Sequence, residues 1–196
     1  MLKCLTGLIA LTVVLLSGTI QTASAQNAEE FIVLVAANSP AKGVEKRMTA
    51  YLTGYGYWDN TPPGSAEISK PVLHRKAGGK GTFRDPVTIA VGHTIIGNRQ
   101  TLDYAPGTKF YIERLRKYAI VEDVCGDGRK PQNGPCHTGY KGNPWLDIYI
   151  GGARHDANAT EACARRITAL HKMIINPKPD YPVHEGEITA SGCKLF

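Results

Sequence analysis

The segment 145–150 reads Trp-Leu-Asp-Ile-Tyr-Ile and places one carboxylate between two aromatic rings. Successive side chains of a β-strand point to opposite faces, so Trp145, Asp147 and Tyr149 share one face and the Leu and Ile residues form the other. Aromatic rings stack on the apolar faces of sugars, and a partly desolvated carboxyl group has the raised pKa that a general acid needs. We interpret this face as a sugar-binding surface; the alternative is an ordinary strand whose Asp faces water.

A second carboxylate, Asp123, stands near the end of the segment 118–124. Strand alternation predicts that it shares a face with Ala119 and Val121, on the more apolar side of the strand. A carboxylate in such a place is either part of a site or hydrogen-bonded to loop amides. We take Asp123 as a candidate group that supports Asp147.

Aromatic residues are dense in the segment 51–59, which ends in a third candidate acid, Asp59. In an extended strand Tyr51, Thr53, Tyr55 and Tyr57 share one face, which is either a platform for a polysaccharide or a packed aromatic cluster. The candidate substrate-binding residues of this strand and of 145–150 are Thr53, Tyr55, Tyr57, Trp145 and Tyr149.

The elements that must position these residues are short strands separated by Gly and Pro, a pattern typical of an all-β barrel or sandwich. The segment 115–117 is too short for anything except a tight hairpin. Between Asp59 and Asp85 the chain has no sustained period, which predicts a long surface loop. The predicted strands are 48–57, 87–92, 109–114, 118–124 and 145–150.

The pattern changes at 156–176, where apolar residues recur at helical spacing among basic residues. This spacing predicts an amphipathic helix, which Asn176-Pro177 would end. The expected organisation is therefore a barrel domain over 47–155, followed by a helix and a disulfide-tied tail over 156–196.

Four cysteines follow residue 25, and they allow three pairings. Proximity favours Cys125 with Cys136 and Cys163 with Cys193, because each bridge then closes its own loop. The sequence has no CxxC pair and no clustered His spacing, so we expect neither a metal site nor a cofactor.

The first 25 residues have the charged, apolar and small-residue regions of a secretory signal peptide, in that order. Lys3 precedes the apolar run 8–16, and small residues end at Ala25. The alternative, a membrane anchor, needs roughly 20 apolar residues, and this run is shorter. We therefore expect cleavage after Ala25, a lead-in segment over 26–46, and a protein that is secreted or periplasmic.

Cleavage would remove one of the 23 Lys and Arg residues and none of the 17 Asp and Glu residues, leaving a net charge of +5. This modest basic excess suits adhesion to an anionic matrix such as a cell wall. The basic residues are scattered and no nucleic-acid motif accompanies them, so we do not expect nucleic acid as a partner. We expect a monomer without a stable membrane anchor.

Three stretches together resemble the three-aspartate (3D) type of double-psi β-barrel. They are the strand start Pro106-Gly107-Thr108, the strand end Val121-Glu122-Asp123 and the strand Leu146-Asp147-Ile148-Tyr149. In the related lytic transglycosylases the Asp of the last strand is the catalytic acid, a role that the resemblance assigns to Asp147. Expansins have His-Phe-Asp at the same strand, where this chain has Trp145-Leu146-Asp147, so the Asp is present and the His is not.

The segment Tyr57-Trp58-Asp59 is similar to the Tyr-Trp-Asp of family 45 endoglucanases, in which the Asp is the general base. This resemblance assigns that role to Asp59. The matching motifs lie within 48–151 and imply a mainly β fold, a six-stranded double-psi β-barrel of the expansin-like kind, here with a C-terminal amphipathic helix.

The residues and the resemblance together predict a secreted protein that binds a β-1,4-linked cell-wall glycan, peptidoglycan or cellulose, and cleaves it with Asp147 as general acid. Two alternatives stay open, since a fold does not fix a function. One is a non-catalytic, expansin-like module that binds or loosens the wall. The other is a secreted protease inhibitor on the same barrel.

Overall fold

A computed structural model describes residues 43–196 of the chain. The expected signal peptide and the lead-in segment up to residue 42 lie outside the described residues. The strands are β1 (Lys46–Tyr55), β2 (Val87–Val91), β3 (His93–Ile96), β4 (Arg99–Leu102), β5 (Lys109–Ile112), β6 (Lys117–Val124), β7 (Trp145–Tyr149) and β8 (Ala169–Ile175). The α-helices of this part are α1 (Pro135–Thr138) and α2 (Ala157–Ile167).

Six strands close into a barrel in the order β1-β7-β2-β6-β5-β8, and β8 pairs again with β1. Two neighbouring pairs, β1 with β7 and β2 with β6, run parallel, and the other pairs are antiparallel. Strands β3 and β4 form a separate hairpin that follows β2. The predicted mainly β barrel is confirmed, and each of the five predicted strands is present.

Strands β2 and β6 are buried along almost their whole length, with apolar residues predominating in β2 and in the run 118–121 of β6. Every residue of β2 is buried, and so are all residues of β6 before Val124, as expected of strands that are covered on both faces. In β7 the predicted alternation holds, because Leu146 and Ile148 are 0% exposed whereas Asp147 is only partly buried.

The helix predicted over 156–176 is correct only in its first part, because α2 ends at Ile167. Residues 169–175 form β8 instead, which pairs with β1 on one side and β5 on the other. Pairing on both edges satisfies the backbone polar groups of this segment and buries Met173 and Ile174. The barrel therefore contains a strand from beyond residue 155.

Both favoured disulfides are present. Cys125–Cys136 closes the loop between β6 and α1, and Cys163–Cys193 joins α2 to the C-terminal tail. Within residues 43–196, no helix is long and apolar enough to cross a membrane.

Candidate functional site

Four residues line up across adjacent strands of the barrel. Thr53 of β1 pairs with Asp147 of β7, Asp147 pairs with Ala90 of β2, and Ala90 pairs with Asp123 of β6. Paired residues of neighbouring strands project from the same face. Both acids therefore share one face, with the small side chain of Ala90 between them. We call these four residues the carboxylate row.

A β-bulge brings Asp123 into this row. The register between β2 and β6 shifts, so that Ile89 pairs with Val121 but Ala90 pairs with Asp123, and Glu122 is the additional residue. Val121 and Asp123 consequently lie on opposite faces. The prediction that these two residues share a face is wrong, because simple alternation does not include the bulge.

Asp147 is held by a hydroxyl group and is largely surrounded by protein. Thr53 Oγ1 donates to Asp147 Oδ1 at 2.8 Å, and the indole Nε1 of Trp145 donates to the same Thr53 oxygen at 2.9 Å. Burial raises the pKa of Asp147 to about 7; the Thr53 hydrogen bond opposes this rise, and the charges of Asp59 and Asp123 add to it. Asp147 is thus protonated in a large fraction of molecules near neutral pH, as a general acid must be.

The Asp123 carboxylate is buried, and both of its oxygens accept hydrogen bonds. Oδ2 accepts from the Tyr55 hydroxyl at 3.0 Å, and Oδ1 accepts from the backbone N–H groups of Ser69 at 3.0 Å and Val124 at 2.9 Å. Ser69 belongs to the long loop between β1 and β2. Asp123 therefore joins this loop to the carboxylate row.

The aromatic candidates differ in how much ring surface they offer. Tyr55 and Tyr149 pack edge to face at 5.4 Å and are 8% and 7% exposed, so their rings are largely covered. Burial raises the pKa of Tyr149 to about 12, and burial followed by the charge of Asp123 raises the pKa of Tyr55 well above its ordinary value. Tyr57 is partly exposed and packs edge to face on Trp58.

The third candidate acid, Asp59, lies just after β1 and is exposed. Its Oδ1 accepts from the backbone N–H of Gly56 at 2.6 Å, which fixes the turn that follows the strand. Its charge contributes to the raised pKa of Asp147, so the two carboxylates interact electrostatically.

Trp58 is a candidate that the sequence reasoning did not include. The residue is 41% exposed, and its Nε1 donates to the carbonyl oxygens of Gly152 at 3.1 Å and His155 at 2.8 Å. These two bonds fix an accessible indole beyond the C-terminal end of β7. The other tryptophan, Trp145, is partly buried and begins β7.

A surface cleft of about 400 Å³ opens beside the start of β7. Trp145, Tyr104, Asp103, His137 and Asn143 are among the residues that line it. Clefts of this size and mixed lining are typical of sites for small ligands. A ligand in this cleft would contact the indole that is linked through Thr53 to Asp147.

Glu122, the bulge residue, is fully buried and binds the long loop. It accepts hydrogen bonds from the backbone N–H groups of Leu73 at 2.6 Å and His74 at 2.8 Å, and its Oε2 lies 2.7 Å from Nδ1 of His74. The other ring nitrogen of His74 lies 2.9 Å from Asp85. Burial acts to raise the pKa of Glu122, but the hydrogen bonds from His74 and Leu73 outweigh it and lower that pKa.

Among residues 43–196, no group of three or more His, Cys, Asp and Glu side chains is placed to hold a metal ion. The described part of the chain is thus a disulfide-bonded β-barrel with two acids on one face and a cleft beside them. The family model described as "DDB_G0273701 N-terminal domain" matches residues 47–194, and the chain belongs to this family.

An uncharacterized protein of Dictyostelium discoideum, DDB_G0273701/DDB_G0273221, is 33% identical to the chain over 141 residues. The match covers 71% of this chain and 55% of that protein, so the chain spans about half the length of this curated relative. No solved structure matches the chain.

Proposed function

We propose that this protein acts on a cell-wall polysaccharide, a β-1,4-linked glycan such as peptidoglycan or cellulose, and that Asp147 donates a proton to a glycosidic oxygen. The observation that carries the proposal is the state of Asp147. This acid is partly accessible, has a pKa of about 7 and lies beside the indole of Trp145 through the Thr53 hydroxyl.

The indoles of Trp145 and Trp58 suggest that the glycan lies along strand β7. Trp145 lies two residues before Asp147 on β7, a separation of about 7 Å along the strand. Trp58 is bonded to Gly152, beyond the other end of the strand. An extended chain that follows β7 would meet an aromatic surface on each side of the acid, and stacking on such surfaces suits pyranose rings.

The other acids take supporting roles in this proposal. Asp123 keeps Tyr55 and the long loop in place, since its carboxylate is engaged by protein donors. Asp59 is exposed and close enough to act on the pKa of Asp147. Inverting cleavage would use Asp59 as base if the two carboxyl groups are roughly 6.5 to 9.5 Å apart.

We further propose that the barrel is of the double-psi type and that the protein is exported. The two parallel strand pairs, β1 with β7 and β2 with β6, support the barrel type. The two disulfides and the signal-like order of 1–25 support export, because disulfides persist in oxidising compartments.

A second candidate function is wall binding without cleavage. It is favoured by the engagement of Asp123, whose two carboxylate oxygens accept hydrogen bonds from Tyr55, Ser69 and Val124 and which is therefore not placed to serve as a second catalytic acid. A module of this kind would retain its affinity for the polysaccharide when Asp147 is replaced.

The proposals are tested with purified protein on insoluble peptidoglycan, cellulose and chitin, with pull-down and release of soluble sugar measured in parallel. The wild type and an Asp180→Asn control, which alters an exposed acid, should bind and release sugar. Asp147→Asn should bind and release none. Undiminished release of sugar by Asp147→Asn contradicts the role of Asp147. Binding by the wild type without release of sugar favours the second function. If the wild type binds none of the three polysaccharides, both proposed functions are rejected.

A further inference from the structure

The segment Asn158-Ala159-Thr160 is the only place in the sequence where Asn is followed two residues later by Ser or Thr with a residue other than Pro between them. In secreted proteins of eukaryotes this motif accepts an oligosaccharide on its Asn, provided that the Asn is on the surface. None of the three residues belongs to the carboxylate row or lines the cleft beside Trp145. The motif is therefore a separate feature of the chain.

The fold places the Asn of this motif on the solvent side of α2. Asn158 is exposed, whereas Thr160 is only 3% exposed. Residues of an α-helix are about 100° apart around its axis, so residues two positions apart lie on nearly opposite sides. The buried side of α2 continues from Thr160 to Cys163 and Ile167. Asn158 consequently points away from the barrel.

The side chain of Asn158 has no part in holding the helix. The start of α2 is capped by Asp156, whose Oδ1 accepts from the backbone N–H of Ala159 at 2.8 Å. Within residues 43–196, the Asn158 side chain has no hydrogen-bond partner. Its amide nitrogen can thus carry a large substituent without the loss of a bond and without displacing a packed side chain.

Thr160, by contrast, also has a structural role. Its Oγ1 donates to the carbonyl oxygen of Asp156 at 3.0 Å, and a Cβ atom at Gly56 or Gly152 would overlap its side chain. These contacts account for Thr160 by packing alone, so a change at Thr160 disturbs the fold as well as the motif. A change at Asn158 alters the motif alone and is the cleaner test.

We propose that Asn158 carries an N-linked oligosaccharide in the exported protein. The inference rests on the proposed export. The Cys163–Cys193 disulfide, which begins on the same helix, fits the oxidising lumen of the endoplasmic reticulum, where such bridges form. The relative from Dictyostelium discoideum is a protein of a eukaryote, the class of organism in which this motif is an acceptor.

The co-reactant is an oligosaccharide carried on a lipid diphosphate, and the transferring enzyme belongs to the cell. The amide nitrogen of Asn158 forms a bond to the anomeric carbon of the oligosaccharide. The bond between that carbon and the diphosphate oxygen breaks, the lipid diphosphate leaves with the bonding electrons, and the amide nitrogen loses one proton. No oxidant or reductant takes part.

The test expresses the full-length chain in Dictyostelium discoideum cells and recovers the protein from the medium. A peptide N-glycosidase should remove the oligosaccharide from the wild type, increase its mobility on a gel and leave Asp at position 158, which tandem mass spectrometry identifies. Asn158→Gln should migrate like the digested wild type before any treatment. Thr160→Ser, which keeps the motif, and Asn98→Gln, which changes an exposed Asn outside it, should both retain the oligosaccharide.

The outcomes separate this inference from the other proposals. Unmodified Asn158 in wild-type protein from the medium overturns the inference while export stands, and a glycosidase-sensitive form that persists in Asn158→Gln overturns it as well. If the wild type stays inside the cell, unmodified and with residues 1–25 attached, the proposed export fails and the inference fails with it. Digestion of the wild type gives the same readout without a variant, so the test does not depend on the folding of Asn158→Gln. The role of Asp147 is tested separately by the release of sugar.

Discussion

Replacement of Thr53 by Val tests how the carboxylate row sets the pKa of Asp147. The indole Nε1 of Trp145 occupies an acceptor position on Thr53 Oγ1, so the hydroxyl proton is free to point at Asp147. The alternative acceptor, the carbonyl oxygen of Leu146, is 3.5 Å away against 2.8 Å for Asp147 Oδ1. The hydroxyl therefore donates to the carboxylate and favours its charged form.

The magnitude follows from one lost hydrogen bond to a charged group. Such a bond stabilises its acceptor by about 1.5 kcal/mol, and 1.36 kcal/mol corresponds to about one pKa unit. Val has nearly the shape of Thr, and Trp145 is partly exposed, so water can replace the lost acceptor of its N–H. The pKa of Asp147 should rise from about 7 to about 8 in Thr53→Val.

The assay is a pH titration of the Asp147 carboxyl carbon by NMR, with Asp selectively labelled and Asp147→Asn used to assign the signal. Thr53→Ser, which keeps the hydroxyl, should titrate like the wild type. A pKa in Thr53→Val that is unchanged or lower would refute the assigned direction of the hydrogen bond.

Three stability predictions concern the ionisable residues Asp147, Glu122 and Lys117, and each is measured by denaturant unfolding. Because the pKa of Asp147 is raised on folding, its favourable contribution is present at low pH and lost as the pH rises to about 7. Asp147→Asn should therefore raise the free energy of unfolding at pH 8 by on the order of 2 kcal/mol after solvent screening, and should leave it unchanged at pH 4. An unchanged free energy of unfolding at pH 8 would contradict this prediction. Glu122→Gln should lower the free energy of unfolding by about 3 kcal/mol, because partly buried His74 loses its fully buried charged partner. Exposed Glu161→Gln should change it little, and equal effects of the two variants would show that this ion pair does not stabilise the loop. The Nζ of Lys117 donates to three carbonyl oxygens, and burial lowers the pKa of Lys117 to about 8. Lys117→Met should therefore lower the free energy of unfolding by about 2 kcal/mol or more. A loss no larger than that caused by exposed Lys172→Met would contradict the importance of these bonds.

The strands that carry the row could be predicted because their patterns are local. The period-two pattern of 145–150 places Leu146 and Ile148 in the core and Asp147 on the other face, as the structure has them. The disulfides followed from the short separations of their cysteines, 11 and 30 residues. These features depend on residues close together in the sequence.

Features that depend on pairing between distant segments were missed. The apolar residues of 169–175 fit a helix, and the buried His171 on the β8 strand masks its alternation. Only pairing with β1 and β5 decides in favour of a strand. The bulge at Glu122 likewise has no local signal, because it exists only relative to the register of β2. The β3–β4 hairpin was also missed, although its Gly97-Asn98 turn is a typical hairpin signal.

Burial of the aromatic candidates could not be read from alternation either. Tyr55 has the expected strand position, but its hydroxyl binds Asp123 and its ring is covered. The ring of Tyr149 packs edge to face on it, and the long loop is bonded to the same Asp123 carboxylate through Ser69. Trp58, by contrast, is 41% exposed, although its N–H is bonded to the carbonyl oxygens of Gly152 and His155.

The two tryptophans of the chain provide the most direct test of glycan binding along β7. Their indole N–H groups give one NMR signal each, which can be followed as soluble oligosaccharides of peptidoglycan, cellulose or chitin are added. A glycan that lies along β7 should shift both signals with the same saturation curve, and Trp145→Phe should assign one of them. If neither signal moves with any of the three oligosaccharides, no sugar lies across Asp147 and the proposed site is wrong.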